Sequence, residues 1–206
     1  MINPLYLEKS LSYEDYKKMV ADLLSEGRST GPPQSESYLH YTRLSVQRMH
    51  RVEKTLQLLP EVKASMEKVR RAQTWLVLTE GWCGDAAQSM PVMQALAQLN
   101  PLITLRCLLR DENLELMDQY LTNGVSRSIP KLISLDTATL EELFNWGPRP
   151  TPLQEIFYRM RAEGIHHGLM VEEFQRWYNA DKTITAQKEL AGLASGQITA
   201  SGQPLP

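Results

Sequence analysis

The sequence predicts an α/β fold in which helices cover both faces of a mixed sheet. From residue 75 onward, short apolar, β-prone runs alternate with runs that repeat apolar residues at helical spacing. Two of the apolar runs stand close enough to form a hairpin around residues 136–139. Alternating strands and helices followed by a hairpin are typical of a mixed sheet between helices. The predicted strands are residues 75–79, 102–109, 131–135 and 142–146, and the helices that alternate with them are residues 84–99 and 113–122.

Helical patterns without strands occupy both ends of the chain. Before the sheet they predict helices at residues 15–26, 38–59 and 61–73, and after it a helical region at residues 169–193. Thr151-Pro152-Leu153-Gln154 combines a capping threonine, a proline at the first helical position and a glutamine three residues after the cap. A helix should therefore begin there and end near Gly164. The small, polar tail from Ser195 to Pro206 predicts mobility.

The composition narrows the class of protein. The 206 residues carry a net charge of -2 with a pI near 6.1, which gives no electrostatic reason to expect nucleic acid or an anionic membrane as a partner. Two cysteines, Cys83 and Cys107, are too few for a disulfide-stapled secreted scaffold. The N-terminus lacks the apolar run of a signal peptide, and no run approaches the roughly 18 apolar residues of a transmembrane helix. We therefore expect a soluble, cytoplasmic protein.

The candidate reactive residue is Cys83. The predicted first strand leads through Gly81 and Trp82 and brings Cys83 to the start of a helical pattern. Backbone N–H groups and the helix macrodipole favour negative charge at a helix N-terminus. Cysteines there have pKa values of roughly 3.5–7.5, against about 8.5 for a free thiol. Asp85 opposes this effect by like charge, unless its role is only to stabilise the helix start. The sequence therefore predicts a thiolate at Cys83 that Asp85 tunes.

The order β-α-β-α-β-β-α, with Gly81-Trp82-Cys83-Gly84 at the first strand-to-helix junction, resembles the thioredoxin superfamily. Pro91 lies inside the following helix, where thioredoxins carry a kinking proline. Ser128-Ile129-Pro130 resembles the segment whose cis-proline faces the active-site cysteine, and Gly147 resembles the glycine that lets a substrate chain approach the sulfur. The resemblance implies that Cys83 is catalytic and that Trp82, Ile129, Pro130 and Gly147 line a substrate groove.

The resemblance covers residues 72–164. It leaves residues 1–71 as a helical extension that packs on the core, and residues 165–206 as a second helical extension with a tail. The similarity is greatest to thioredoxin-like bacterial proteins that keep Trp-Cys-Gly-Asp without a second cysteine.

Two departures from the superfamily pattern bear on mechanism. Ala86 stands where thioredoxins carry the resolving cysteine, and Val77 stands where they carry a buried carboxylate that assists proton transfer. Cys107 alternates within an apolar strand, so a buried, inert thiol is the default reading. A bridge would need the two Cα atoms within roughly 7 Å, which a residue in the middle of a strand does not easily satisfy. The chain therefore lacks an evident partner for Cys83.

Two arginines are candidates for balancing the charge at Cys83. Arg110 closes the second strand at the edge of the sheet where the superfamily has its site. Arg149 lies between Pro148 and Pro150, which restrict its backbone, and it would offer a forked donor to the thiolate or to a substrate carboxylate. The alternative is that Arg149 is an ordinary solvated loop residue.

No metal site or cofactor is predicted. His40 and His50 are ten residues apart on one predicted helix and therefore point in different directions. His166 and His167 are adjacent, so their side chains should diverge. The sequence also lacks a glycine-rich phosphate loop and a Gly-x-Ser-x-Gly elbow.

Two functions remain open. In the first, the protein is a monothiol redox protein whose Cys83 forms mixed disulfides that an external thiol such as glutathione resolves, so its partner is a disulfide-containing protein or a low-molecular-weight thiol. This hypothesis is favoured because an exposed, useless cysteine would be vulnerable to oxidation, and it predicts a Cys83 pKa clearly below 8.5. In the second, the chemistry has lapsed, the groove is a binding module, and the helical extensions dock a protein partner.

Overall fold

The computed structural model describes residues 1–32 and 34–198. Of the tail that the sequence predicts to be mobile, residues 199–206 lie outside the described part. The elements, in chain order, are α1 (Leu5–Lys9), α2 (Tyr13–Ser25), α3 (Glu36–Thr55), α4 (Pro60–Met66), β1 (Gln73–Thr79), α5 (Gly84–Ala97), β2 (Ile103–Leu109), α6 (Leu114–Met117) with a following 3₁₀ turn (Asp118–Tyr120), β3 (Lys131–Asp136), β4 (Glu142–Trp146), α7 (Thr151–Ala162), α8 (His167–Asp181) and α9 (Ile184–Ala194).

The four strands form one mixed sheet in the order β2-β1-β3-β4. β1 pairs parallel with β2 and antiparallel with β3, and β3 pairs antiparallel with β4. Every residue of the two central strands is buried, which explains why they read as near-continuous apolar runs instead of alternating ones. Because β1 is central, the chain that leaves its C-terminal end enters the middle of the fold.

Helices flank this sheet, as the sequence predicts. α3 and α9 pack on α5, while α1, α2 and α5 contact β2. One apolar cluster joins the sheet to side chains from both ends of the chain, including Tyr16, Met49, Met66 and Leu190. A second, smaller cluster holds α7 against α8 through Leu153, Met170, Phe174 and Tyr178. The predicted fold class is confirmed.

The predicted helical region at residues 169–193 is divided into α8 and α9. Lys182 and Thr183, between the two helices, adopt left-handed backbone conformations with φ of 50° and 68°. Left-handed conformations interrupt a right-handed helix, and side chains other than glycine, asparagine and aspartate rarely adopt them. The break therefore depends on tertiary packing, and residue type gave no warning of it.

The start of α7 also differs from the predicted capping box. Thr151 is the first helical residue and Pro150 is the cap, without a side-chain capping bond. The Thr151 N–H donates instead to Glu189 Oε1 on α9 at 2.8 Å, and Glu189 Oε2 accepts from the Trp146 indole at 2.7 Å. The capping acceptor thus comes from a residue far along the chain, which a local pattern does not reveal.

The N-terminal helices share their apolar faces with the sheet. Met66 and Val69 belong to the same buried cluster as Trp75 of β1, which lies within the predicted domain of residues 72–164. The division of the chain at residue 72 stays a prediction. Across residues 1–32 and 34–198, no helix combines the length and the apolar character that crossing a bilayer requires.

Candidate functional site

Cys83 lies where β1 has ended and α5 begins. It is the N-cap of α5, and its Sγ accepts the N–H of Ala86 at 3.4 Å. Its thiol donates to the carbonyl oxygen of Ile129 at 3.3 Å. Only 7% of the residue is exposed, so the side chain is buried although it stands at a helix start.

Burial raises the pKa of Cys83 to about 12, and the negative charge of Asp85 adds to this rise. The backbone N–H groups of Ala86 and Asp85, and the positive charge of Arg149, lower it by less. The predicted low pKa is therefore wrong: the helix terminus acts as expected, but desolvation of the sulfur outweighs it. The bond from the thiol to Ile129 works in the same direction, because only a protonated sulfur can donate it.

Asp85 is held by two partners from distant elements. Its carboxylate accepts Arg149 at 2.7 Å and the Tyr178 hydroxyl at 2.9 Å. Both members of the ion pair are nearly buried, with side chains 13% and 14% exposed. The Arg149 guanidinium also lies 4.8 Å and 4.9 Å from the ring centres of Phe157 and Phe174. Arg149 therefore reaches the site, as predicted, but its charge is matched to Asp85.

Trp82 and Arg110 form one edge of the site. The Arg110 guanidinium stacks on the Trp82 ring with 5.0 Å between its central carbon and the ring centre. Tyr38 of α3 approaches the same ring edge-on, with centres 5.3 Å apart. Arg110 also pairs with Asp111 at 2.7 Å and donates to the carbonyl of Arg127 at 3.1 Å. Both predicted residues are thus near Cys83, and Trp82 is half-buried at the rim.

The Ile129–Pro130 bend faces Cys83 through the Ile129 carbonyl, and the peptide bond between the two residues is cis. Gly147 lies behind this bend with φ of 111°, and a Cβ at its position would overlap the Pro130 carbonyl oxygen. A glycine is required there because backbone packs on backbone. Neither Pro130 nor Gly147 lines the open space beside the sulfur, whereas Ile129 does.

That open space is a cleft of about 480 Å³ next to Cys83. Five other predicted residues line it together with Cys83: Trp82, Asp85, Arg110, Ile129 and Arg149. The remaining walls are Ser37, Tyr38, Tyr41 and Arg48 from α3, Gly84, the Ser126–Ser128 loop, and His167, Val171, Phe174 and Gln175 from α8. Sequence reasoning missed these walls because α3 and α8 lie far from Cys83 along the chain.

A buried carboxyl group, Glu80, was also missed. Glu80 directly follows β1 and is fully buried; its Oε1 accepts the Asp111 N–H at 2.9 Å, and its carbonyl accepts the Cys83 N–H at 3.1 Å. Burial raises its pKa. An acidic residue that ends an apolar run was the available signal. Val77, where the superfamily has its carboxylate, is buried in β1 as an apolar residue.

Cys107, His40, His50 and His166 do not line the cleft, whereas His167 does. Cys107 is 1% exposed in the middle of β2, as predicted, and burial raises its pKa to about 12. Both thiols are free. His166 caps α8 by accepting the Gly168 N–H at 3.2 Å. In the described part of the chain, no three His, Cys, Asp or Glu side chains come close enough together to hold a metal ion.

A mixed sheet whose first strand leads to a cysteine at a helix start, facing an Ile-Pro bend, defines a thioredoxin-like protein. The family model described as thioredoxin matches residues 31–163, more than half of the chain, and the protein therefore belongs to this thioredoxin family. The match begins within the region that the sequence assigns to an N-terminal extension and includes α3 and α4.

Two solved structures resemble the chain. A protein of unknown function from Pseudomonas aeruginosa has a TM-score of 0.56 and 16% identity, over 90% of this chain and 98% of that one. An HIV epitope scaffold has a TM-score of 0.54 and 15% identity, over 90% of this chain and 99% of that one. At these identities the likeness concerns the fold alone. No curated protein matches the chain.

Proposed function

We propose that this thioredoxin-family protein binds a small molecule in the cleft over Cys83 and keeps the Cys83 thiol protonated at rest. The observation that carries the proposal is the cleft itself, which has a volume of about 480 Å³ and brings together aromatic rings, arginines and a buried sulfur. Small-molecule sites are typically preformed clefts of roughly 300–1,000 Å³ with a few convergent polar groups.

The state of the thiol favours binding over redox chemistry. The thiolate is the nucleophile in disulfide exchange, and a pKa of about 12 leaves little thiolate near neutral pH. The main reason for expecting redox chemistry was that an exposed cysteine would be a liability, and that reason does not apply to a side chain that is 7% exposed. For this reason we prefer the binding module to the monothiol redox protein as the function of the cleft.

The shape of the cleft favours a small ligand over a protein. α3 contributes Tyr38 and Tyr41 to one wall, and α8 contributes Val171 and Phe174 to the other, so the sulfur lies between helices. A disulfide in a folded protein would have to bring its own backbone between them. The sequence predicts a disulfide-containing protein or a low-molecular-weight thiol as partner; the proposal keeps the low molecular weight and does not require a thiol.

The proposal is tested by titrating metabolite mixtures into the ¹⁵N-labelled protein and following backbone amide shifts. A ligand should shift the amides of residues 83–85 and 128–129, and Val171→Trp should abolish the shifts because an indole on α8 fills the cleft. Val125→Trp is the matched control, since Val125 is 81% exposed and lies outside the cleft. If every ligand that binds shifts residues elsewhere, or binds Val171→Trp equally well, the cleft is not the binding site.

Monothiol redox chemistry is the second candidate, and it is favoured by the Ala86 N–H that points to Sγ and would stabilise a thiolate. In that reaction the Cys83 thiolate attacks a small disulfide, forms a mixed disulfide and releases one thiolate; a second external thiol then attacks the mixed disulfide and restores Cys83. Intact-mass spectrometry after incubation with oxidised glutathione tests it. An adduct at neutral pH that Cys83→Ser lacks would support this candidate, and an unmodified protein would exclude it.

A further inference from the structure

Among the arginines that line the cleft, Arg48 is the one without a carboxylate partner in the described part of the chain. It lies on α3 and is half-buried where α3 packs on α5. Its Nη1 lies so close to Gly84, the first residue of α5, that a Cβ on Gly84 would come within 2.9 Å of it. The guanidinium therefore lies at the helix start that carries Cys83.

The other arginines of the cleft are all paired with carboxylates. Arg149 pairs with Asp85 at 2.7 Å, Arg110 pairs with Asp111 at 2.7 Å, and Arg127 forms two bonds to Asp118 at 2.6 Å and 2.8 Å. Among residues 1–32 and 34–198, Arg48 has neither a hydrogen-bond acceptor nor an ion-pair partner. The cleft therefore keeps one positive charge in excess.

The groups that face Arg48 do not neutralise it. Asp85 attracts it, but the Asp85 carboxylate is already bonded to Arg149 and Tyr178. Arg51, one turn along α3, repels it. Tyr41 lies about two turns away on the same helix and lines the cleft as Arg48 does. A half-buried guanidinium without a partner is unfavourable, and an oxyanion that binds it through two parallel N–H bonds would remove that cost.

We propose that Arg48 recognises an oxyanion, a carboxylate or a phosphate, of the small molecule that binds over Cys83. The inference rests on the proposed function of the cleft and adds the chemical class of its ligand. The positive end of the α5 macrodipole lies beside the guanidinium and favours the same charge. The ligand would thus place its anionic group between α3 and the start of α5, with the rest of the molecule against Trp82.

The test uses two probes, succinate for the carboxylate and inorganic phosphate for the phosphate, titrated into the ¹⁵N-labelled full chain while the Gly84 and Asp85 amides are followed. At least one probe should shift both amides. Arg48→Gln should weaken that binding about tenfold, because it removes a charge-assisted bidentate contact, and Arg48→Lys should restore part of it. Arg43→Gln is the matched control, since Arg43 lies on the same helix, is exposed and does not line the cleft.

Equal affinity of Arg48→Gln and the unaltered protein would overturn the role of Arg48. Failure of both probes to shift Gly84 and Asp85 would overturn the oxyanion class. Either result leaves the cleft free to bind a neutral ligand, which the metabolite titration detects separately. Loss of the shifts in Arg43→Gln to the same extent as in Arg48→Gln would also contradict the inference, because the effect would then be one of overall charge.

Discussion

Gly147 combines two constraints at one residue. Its φ of 111° disfavours any side chain, and a Cβ there would overlap the backbone oxygen of Pro130, which cannot move as a flexible side chain can. We predict that Gly147→Ala lowers the free energy of unfolding by at least about 2 kcal/mol, measured by urea denaturation.

Gly164 provides the control for this prediction. It has a φ of 69°, but nothing lies within 4 Å of the position its Cβ would take. Gly164→Ala should therefore cost only the backbone term, about 1 kcal/mol. If the two substitutions cost the same, the close approach of Pro130 has no energetic weight and the account of Gly147 is wrong.

Cys83 shows how one residue can be identified correctly and its chemistry misjudged. Its position at a strand-to-helix junction was readable because an apolar run, a glycine and a helical pattern are local features of the sequence. Its protonation state was not readable, since desolvation comes from residues distant in sequence, such as Ile129, that close around the sulfur. The sequence argument considered only the helix terminus, whereas burial decides the pKa of this thiol.

At the scale of elements, the ion pair between Asp85 and Arg149 links the start of α5 to the loop before α7. Tyr178 adds α8 through the same carboxylate. Because the pair is nearly buried, removing one charge leaves the other without compensation. We predict that Asp85→Asn lowers the free energy of unfolding by about 3 kcal/mol, measured by urea denaturation.

The same substitution should change the thiol. Asp85 raises the pKa of Cys83 and Arg149 lowers it, so Asp85→Asn should lower that pKa and speed alkylation at a given pH. Glu172→Gln is the control, because its exposed pair with Arg176 should be worth less than about 0.5 kcal/mol and lies outside the cleft. A stable Asp85→Asn protein with unchanged alkylation would contradict the role given to this pair.

The β3–β4 hairpin provides a prediction about pH. Asp136 ends β3, accepts the N–H groups of Ala138 and Thr139 at 2.9 Å and 2.8 Å, and pairs with Arg71. The Arg71 bond and the Thr139 N–H hold the pKa of Asp136 at about 2, below the ordinary 3.8. A lowered pKa in the folded state contributes stability above pH 3.8 that is lost as the pH falls through 2.

Asp136→Asn should therefore reduce the free energy of unfolding at neutral pH, and its difference from the unaltered protein should shrink between pH 3.8 and about 2. Urea denaturation at a series of pH values measures this difference. A difference that is constant across that range would mean that the carboxylate charge does not stabilise the hairpin.

The sequence predicted the strands but not the walls of the cleft. Residues 142–146 were predicted with the observed bounds, and the other strands lie within two residues of their predicted ends, because a β-prone apolar run is a continuous local signal. The cleft walls on α3 and α8 were not predicted. Their contact with Cys83 depends on how three helices pack, and amphipathic periodicity says only that each helix buries one face.

At the scale of the whole molecule, the cleft depends on helices that the superfamily resemblance did not include. α3 packs on α5 and contributes to the core of the sheet, and it carries Tyr38, Tyr41 and Arg48 into the wall of the cleft. α8 belongs to the smaller cluster with α7 and closes the cleft from the other side. The helices around the sheet thus add walls on two sides of the groove expected over the cysteine.

The most direct test of the central claim, a protonated thiol beneath a binding cleft, is the rate of Cys83 alkylation by iodoacetamide against pH, with peptide mass spectrometry to separate Cys83 from Cys107. With a pKa of about 12, the rate should rise about tenfold for each pH unit from pH 6 to 10 without levelling off. A rate that reaches its plateau below about pH 8 would mean that Cys83 is a thiolate at neutral pH, and it would contradict the account in favour of monothiol redox chemistry.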